Sequence, residues 1–376
     1  MNNMVFFSET ESVMLSFVRL AVLNKDSNIL DNSNIDWDEL FVLSAEQGVL
    51  AWVWDGINKH PRRQELSRQQ VIEWGLSAQK IWDQYARFKH VLGKMIKICE
   101  ENNIRLLLFK GIAQSELYPK PESRPSGDID IFLFNDYERG NILFAHKNVS
   151  RTNKRTAFDY EGVPIENHRI FLNTYTKLQK KAIHYLETTL SNVTYSKDGY
   201  YVMEPTASVV YQVMHIMTHV EDYTSLASIR FIIDFGITLD HYKQDIDPEY
   251  LKSVLIELKI RDLFCLLTEM AEETLNVSFP LFHYKPISIK DKKSVFKLIL
   301  SREQNYVPLK ERGYSEIIFF YLRRFNDYKY IIKYLPRSQF KFYIRNIRLM
   351  IAVLIRKVLN LDDKYPILKG LIIKLK

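Results

Sequence analysis

Two acids stand two positions apart in Ser126-Gly127-Asp128-Ile129-Asp130-Ile131. In an extended strand, side chains alternate between faces at about 3.3 Å per residue. Asp128 and Asp130 would then share one face, about 6.6 Å apart along the strand. Ile129, Ile131 and Leu133 would share the other, facing the core. Like charges on one strand face repel, and aspartate is a poor strand former. A divalent cation between the carboxylates offsets both costs. Oxygen donors of this kind suit Mg²⁺ (or Mn²⁺) held jointly with substrate phosphates. The plain alternative is a pair of solvated acids on a half-exposed strand.

A third acid sharpens the reading. In Val163-Pro164-Ile165-Glu166-Asn167-His168, Val163 and Ile165 fall on one face and Glu166 and His168 on the other. Asp159 and Glu161 are rivals, but Glu161 sits in a turn and Asp159 precedes it. Three carboxylates converging from neighbouring strands would form a two-metal site. One ion would deprotonate an attacking hydroxyl, and the other would neutralise the α-phosphate and the leaving pyrophosphate. Gly111 and Gly127 allow close backbone approach to a ligand, with amides free to face a triphosphate. Lys110 is a candidate phosphate contact or a rim lysine. Arg124, just before the acids, could meet a phosphate bidentately or be an ordinary surface arginine.

The elements that must place these residues follow from changes of period. Residues 37–58 and 68–102 have helical apolar spacing. Ile104 to Phe109 reads as a buried strand, residues 119–127 as a Pro-rich loop, and Asp128 to Phe134 as a second strand. Arg155 to Tyr160 and Val163 to Arg169 form a hairpin about Glu161-Gly162, and Asn192 to Met203 another about Asp198-Gly199. From Pro205 onward the pattern is helical. The expected class is α+β: a small mixed-sheet core at 96–204 between a helical N-terminal arm (1–95) and a helical C-terminal region (205–376).

Other candidates carry less. His215 and His219, four apart, share a helix face, but Ile216 stands where a zinc protease motif needs glutamate. They read as lining the cleft beside the core or as hydrogen-bonded core residues. Arg230 and Asp234 have salt-bridge spacing. His168, His215, His219 and Arg230 are therefore candidates on the substrate side. Cys99 and Cys265 lie in apolar helical contexts and read as core, a usage that fits a reducing cytoplasm. No P-loop, dinucleotide fingerprint or nucleophile elbow is present. Composition is globular, with 47% hydrophobic and 26% charged residues, and no stretch reaches the roughly 20 apolar residues of a membrane span.

The net charge of +7 is uneven. Residues 321–376 hold 14 Lys/Arg and 3 Asp/Glu, while the rest carries 38 basic against 42 acidic groups. The tail is thus a candidate polyanion contact, for RNA, acidic lipid or an acidic partner, or else a solvated helix face.

Together, Lys110-Gly111, Tyr118-Pro119-x-Pro121, Arg124 and Gly127-Asp128-Ile129-Asp130 resemble the uncharacterised bacterial nucleotidyltransferase family found in polysaccharide-biosynthesis loci. Glu166-x-His168, His215-x-x-x-His219, Ser228-Ile229-Arg230 and Asp234 extend the resemblance over about 105–240. It implies the fold of the DNA polymerase β superfamily and an NTP substrate, with the acceptor unnamed. Unlike the broader superfamily, the chain has Ile112 after Gly111, where the usual serine contact to the triphosphate is missing, and Ser126 is the candidate to replace it. The expectation is a Mg²⁺-dependent transfer of a nucleoside monophosphate to a hydroxyl or phosphate. Asp128, Asp130 and Glu166 would be the catalytic and metal residues, and Lys110, Gly111, Arg124, Ser126 and Gly127 the nucleotide side. The rival is a non-catalytic interaction protein that keeps the fold and binds RNA or an acidic partner through its basic tail.

Overall fold

The computed structural model describes residues 6–25, 28–172, 177–222, 228–279, 282–300, 329–335, 347–348 and 351. The chain begins with α1 (Glu9–Leu23), α2 (Asn28–Asn32), α3 (Trp37–Glu46), α4 (Leu50–Lys59) and the long α5 (Arg68–Glu101). Capping boxes start α1 at Ser8/Glu11 and α5 at Ser67/Gln70, each satisfying two otherwise orphaned amides. Helix α4 packs directly on α1 because Gly56 lies against the Phe17 backbone, where a Cβ would come within 2.1 Å of the carbonyl oxygen.

The central part runs β1 (Leu107–Leu108), α6 (Ile112–Ser115), β2 (Ile129–Phe132), α7 (Tyr137–Phe144), β3 (Lys147–Arg151), β4 (Arg155–Tyr160) and β5 (Val163–His168). Then come α8 (Lys177–Thr188), β6 (Thr194–Tyr195) and β7 (Tyr201–Val202). Among the described residues these strands form a seven-stranded mixed sheet, ordered β3-β4-β5-β2-β1-β7-β6. Strands β2 and β5 run parallel, with Asp130 opposite Glu166. The β4–β5 turn has positive φ at both Glu161 (51°) and Gly162 (75°), the conformation that matches strand twist in a two-residue hairpin.

One sheet face carries Ile129, Ile131, Leu133, Val163 and Ile165 against Phe88, Leu92, Met95 and Cys99 of α5 and Phe144 of α7. The other face is not open to water, contrary to a simple alternation of apolar and solvated positions. Phe132 stacks on Phe171, and Phe109 meets Phe171 and Tyr211 edge-on. Asp130 is consequently only 2% exposed.

The helical half follows as α9 (Pro205–Asp222), α10 (Ile229–Tyr242), α11 (Pro248–Glu257), α12 (Arg261–Leu275) and α13 (Ile289–Leu300). The chain divides into two compact units, 1–284 and 285–376. Within the first, the arm joins the helical region: Arg19 of α1 donates to the carbonyls of Thr274 (2.8 Å) and Glu273 (2.9 Å). Within the second, Asp291 of α13 accepts from Lys333 and from the Tyr334 hydroxyl. Among the described residues no helix is long and apolar enough to cross a membrane. Most of the basic segment 321–376 lies outside the described residues.

Candidate active site

Parallel pairing of β2 with β5 brings Asp130 and Glu166 side by side. Two places on, His168 points back at both: its Nε2 lies 2.8 Å from Asp130 Oδ1 and 3.2 Å from Glu166 Oε2. The carboxyl of Asp130, held low by its neighbours, can only accept, so Nε2 carries the proton and donates to it. One ligand atom from each of Asp130, Glu166 and His168 lies within 4.8 Å of the others, a cluster that could hold a metal ion. The buried Nδ1 of His168 has no hydrogen-bond partner. A metal on Nε2 would move the proton to Nδ1 and leave it without the acceptor that metal-bound histidines normally have. The imidazole therefore suits orienting the two acids better than ligating.

Cations surround the acids. Lys110 Nζ sits 2.7 Å from Asp130 Oδ1, and an Arg155 nitrogen lies 2.8 Å from Glu166 Oε1. Burial would raise the Asp130 carboxyl, but Lys110 and His168 override it and hold it well below the usual carboxylate range. Burial likewise opposes the charge on Lys110, and Asp130 more than compensates, so the ammonium persists. Asp128, just before β2, differs. Burial, followed by the charge of Asp130, pushes its carboxyl up to about 7. No cation among the described residues pairs with it. It is an acid short of a counter-ion beside two that have theirs, and carboxylate oxygens are the donors that Mg²⁺ prefers.

Of the nucleotide-side residues, Gly111 has φ +60°, and a Cβ there would lie 3.4 Å from the Asp128 carbonyl oxygen. Gly127 is exposed with open space around it. Ser126 accepts a hydrogen bond from Arg124 Nη1 at 3.1 Å. Arg124 is buried and bonded throughout to protein acceptors, not poised for phosphate, and its acid is Asp234. The i,i+4 spacing pointed to Arg230 as the partner of Asp234; Arg230 instead donates to the Pro125 carbonyl at 3.1 Å and leaves its buried Nε unpartnered.

On α9, His215 and His219 bring their Nε2 atoms within 3.2 Å, and His215 stacks on Tyr211. Burial, then Lys110 and His219, drive His215 well below its ordinary value, so it is neutral at pH 7. The rivals of Glu166 lie elsewhere: Glu161 pairs with Lys94, and Asp159 caps the Gly162 amide.

The residue pattern left out Arg155, Lys154 and Tyr211. A hairpin turn at Glu161-Gly162 pairs Arg155 with His168, so the register contained that signal. Lys154 is brought down to about 8 by burial, then by Lys110 and Arg155. The buried Tyr211 hydroxyl has no hydrogen-bond partner, and nothing in its helical sequence marks it.

The small mixed sheet thus sets Asp130 and Glu166 in register on neighbouring strands, each paired with a partly exposed cation, Lys110 or Arg155. The family described as an uncharacterised nucleotidyltransferase matches residues 33–276, and the chain belongs to it. Neither the curated proteins nor the solved structures offer a match.

Proposed function

We propose that the protein transfers a nucleoside monophosphate from an NTP to a hydroxyl or phosphate acceptor, with Mg²⁺ or Mn²⁺ held by Asp128, Asp130 and Glu166. The observation that carries this reading is the β2–β5 register, which sets Asp130 beside Glu166 with Asp128 unpaired next to them. When bound, the metal would polarise the α-phosphate and offset the charge of the leaving pyrophosphate. In the reaction, an acceptor oxygen bonds to the α-phosphorus as the bond to pyrophosphate breaks, and the acceptor proton passes to a site carboxylate, for which Glu166 is the candidate. Lys110 can exchange Asp130 for a phosphate oxygen, and Arg155 holds Glu166 in place through their ion pair. His168 holds both acids in line. Gly111 and Gly127 give the triphosphate access to backbone amides. The superfamily resemblance and an origin in polysaccharide-biosynthesis loci belong to the same reading.

A second reading, a non-catalytic protein that keeps the fold, draws on the resident pairs Lys110–Asp130 and Arg155–Glu166, which already neutralise two of the acids. One experiment separates the two. Pyrophosphate release is followed from each NTP, with Mg²⁺ or Mn²⁺, across a panel of sugars, nucleic-acid ends, protein side chains and phosphate monoesters. The proposed function predicts release with at least one pair; silence across the panel favours the second reading.

A further inference from the structure

Arg124 and Asp234 come from distant parts of the chain and meet in a buried network. Arg124, in the Pro-rich loop, is 6% exposed, and Asp234, on α10, is 5% exposed. The guanidinium offers five N–H groups in a fixed fork. Nε donates to Asp234 Oδ1 at 2.8 Å, and Nη2 to Asp234 Oδ2 at 2.9 Å and to Gln114 Oε1 at 2.9 Å. Nη1 donates to the Gly111 carbonyl at 2.9 Å and to the Ser126 hydroxyl at 3.1 Å. The fork is full. Tyr118 adds a bond to Asp234 Oδ1 at 2.7 Å, and its ring stacks on Trp52 at 4.8 Å.

The two groups that Nη1 joins lie on the two segments flanking the acids. Gly111 follows Lys110, whose ammonium contacts Asp130. Ser126 stands two residues before Asp128. The segments are already close, with the Gly111 α-carbon facing the Asp128 carbonyl. An aspartate that fixes both Nε and Nη2 leaves Nη1 one direction, across this gap.

We propose that Asp234 and Arg124 form a clamp that sets the spacing between the Lys110–Gly111 segment and the Ser126–Asp128 segment. Both are positioning residues for the transfer, a role that rests on the function proposed above. Arg124 acts through Gly111 and Ser126, and Asp234 acts through Arg124.

The test compares full-length wild type with Asp234→Asn, Arg124→Lys and Tyr118→Phe by peptide-resolved amide exchange, melting temperature and NTP-dependent pyrophosphate release. Asp234→Asn and Arg124→Lys each remove part of the fork. Exchange in peptides covering 110–116 and 124–130 should then speed up by about tenfold, with β4 and β5 protected as in wild type. Tyr118→Phe also removes a buried bond to Asp234 but spares the fork, so those peptides should stay at wild-type exchange. In turnover, the fork variants should lose about a hundredfold in kcat, with KM for the NTP within about threefold, as misplacement of reacting groups predicts. Unchanged exchange at both segments in a folded fork variant would overturn the clamp. So would a rise spread evenly over the sheet, or an equal rise in Tyr118→Phe. Should Asp234→Asn not fold, Arg124→Lys decides by the same criteria. If wild type releases no pyrophosphate with any NTP, the transferase reading fails, and the exchange data alone still judge the clamp.

Discussion

Asp128 and Asp130 are two residues apart, yet burial and neighbours move their carboxyls in opposite directions. Asp128 rises to about 7, so the folded state binds its proton more tightly than the unfolded chain does. Its contribution to stability is therefore present below the ordinary aspartate range and is lost as pH climbs through about 7. Asp130, held low by Lys110 and His168 against its burial, contributes above the ordinary aspartate range and loses that contribution as pH falls through its folded value. In EDTA, Asp128→Asn should thus be more stable than wild type at pH 8 by on the order of 1–2 kcal/mol, and so melt higher, with the gap closing toward pH 4. Asp130→Asn should melt lower at pH 7, because it strands the Lys110 charge. Melting curves of the three proteins across pH check both signs, and an Asp128→Asn protein that melts lower than wild type at pH 8 would make that acid structural. Lys110 supplies a second prediction at this scale. Its ammonium competes with any metal for Asp130, and a triphosphate gives it an alternative partner. Calorimetry should therefore find Mn²⁺ binding weak in wild type alone and stronger with a non-hydrolysable NTP analogue. Lys110→Met should bind Mn²⁺ more tightly than wild type without nucleotide; equal affinities would show that the lysine does not guard the site.

Among the elements, much of this geometry follows from local sequence. The turn at Glu161-Gly162 follows from residue type, and counting outward from it pairs Ala157 with Glu166 and Arg155 with His168. The alternation of Ile129 and Ile131 with Asp128 and Asp130 correctly assigned the core face. What stayed hidden depends on contacts between segments far apart in the chain. Phe109, Phe171 and Tyr211 close over the acid face, and no local period announces that. Asp234 had a candidate partner four residues away, but Arg124 took it from 110 residues upstream. Strand β3, a fully exposed edge strand with Lys147 and Arg151, has no apolar alternation to mark it in the sequence. The packing makes its own predictions. Gly56→Ala would drive a methyl group into the Phe17 backbone and separate α4 from α1, costing about 1–3 kcal/mol. Denaturant unfolding checks this, and a wild-type midpoint would mean that the helices shift at no cost. Ile129→Asn should cost on the order of a few kcal/mol because it buries an unsatisfied amide. It lies between two acids whose loss acts mainly on charge, so the three variants separate packing from chemistry along one strand.

At the scale of the whole molecule, the family match at 33–276 falls inside the unit that spans 1–284. That unit holds the sheet, its cations and the helices that carry His215, Arg230 and Asp234. Residues 1–284 expressed alone should melt cooperatively and keep NTP-dependent turnover within about threefold of the full chain. Loss of the basic segment should weaken heparin retention more than turnover, given the net charge concentrated after residue 320. A shortened chain that folds but is inactive would assign residues 285–376 to the chemistry. Whether the paired strands β2 and β5 present acids for nucleotidyl transfer is decided by pyrophosphate release from wild type, Asp130→Asn and Glu166→Gln, with saturating NTP, Mg²⁺ or Mn²⁺ and the best acceptor found. Turnover is expected in wild type, with a loss of about a thousandfold or more in each variant and the fold retained. Wild-type rates in either folded variant would contradict that role of the acids.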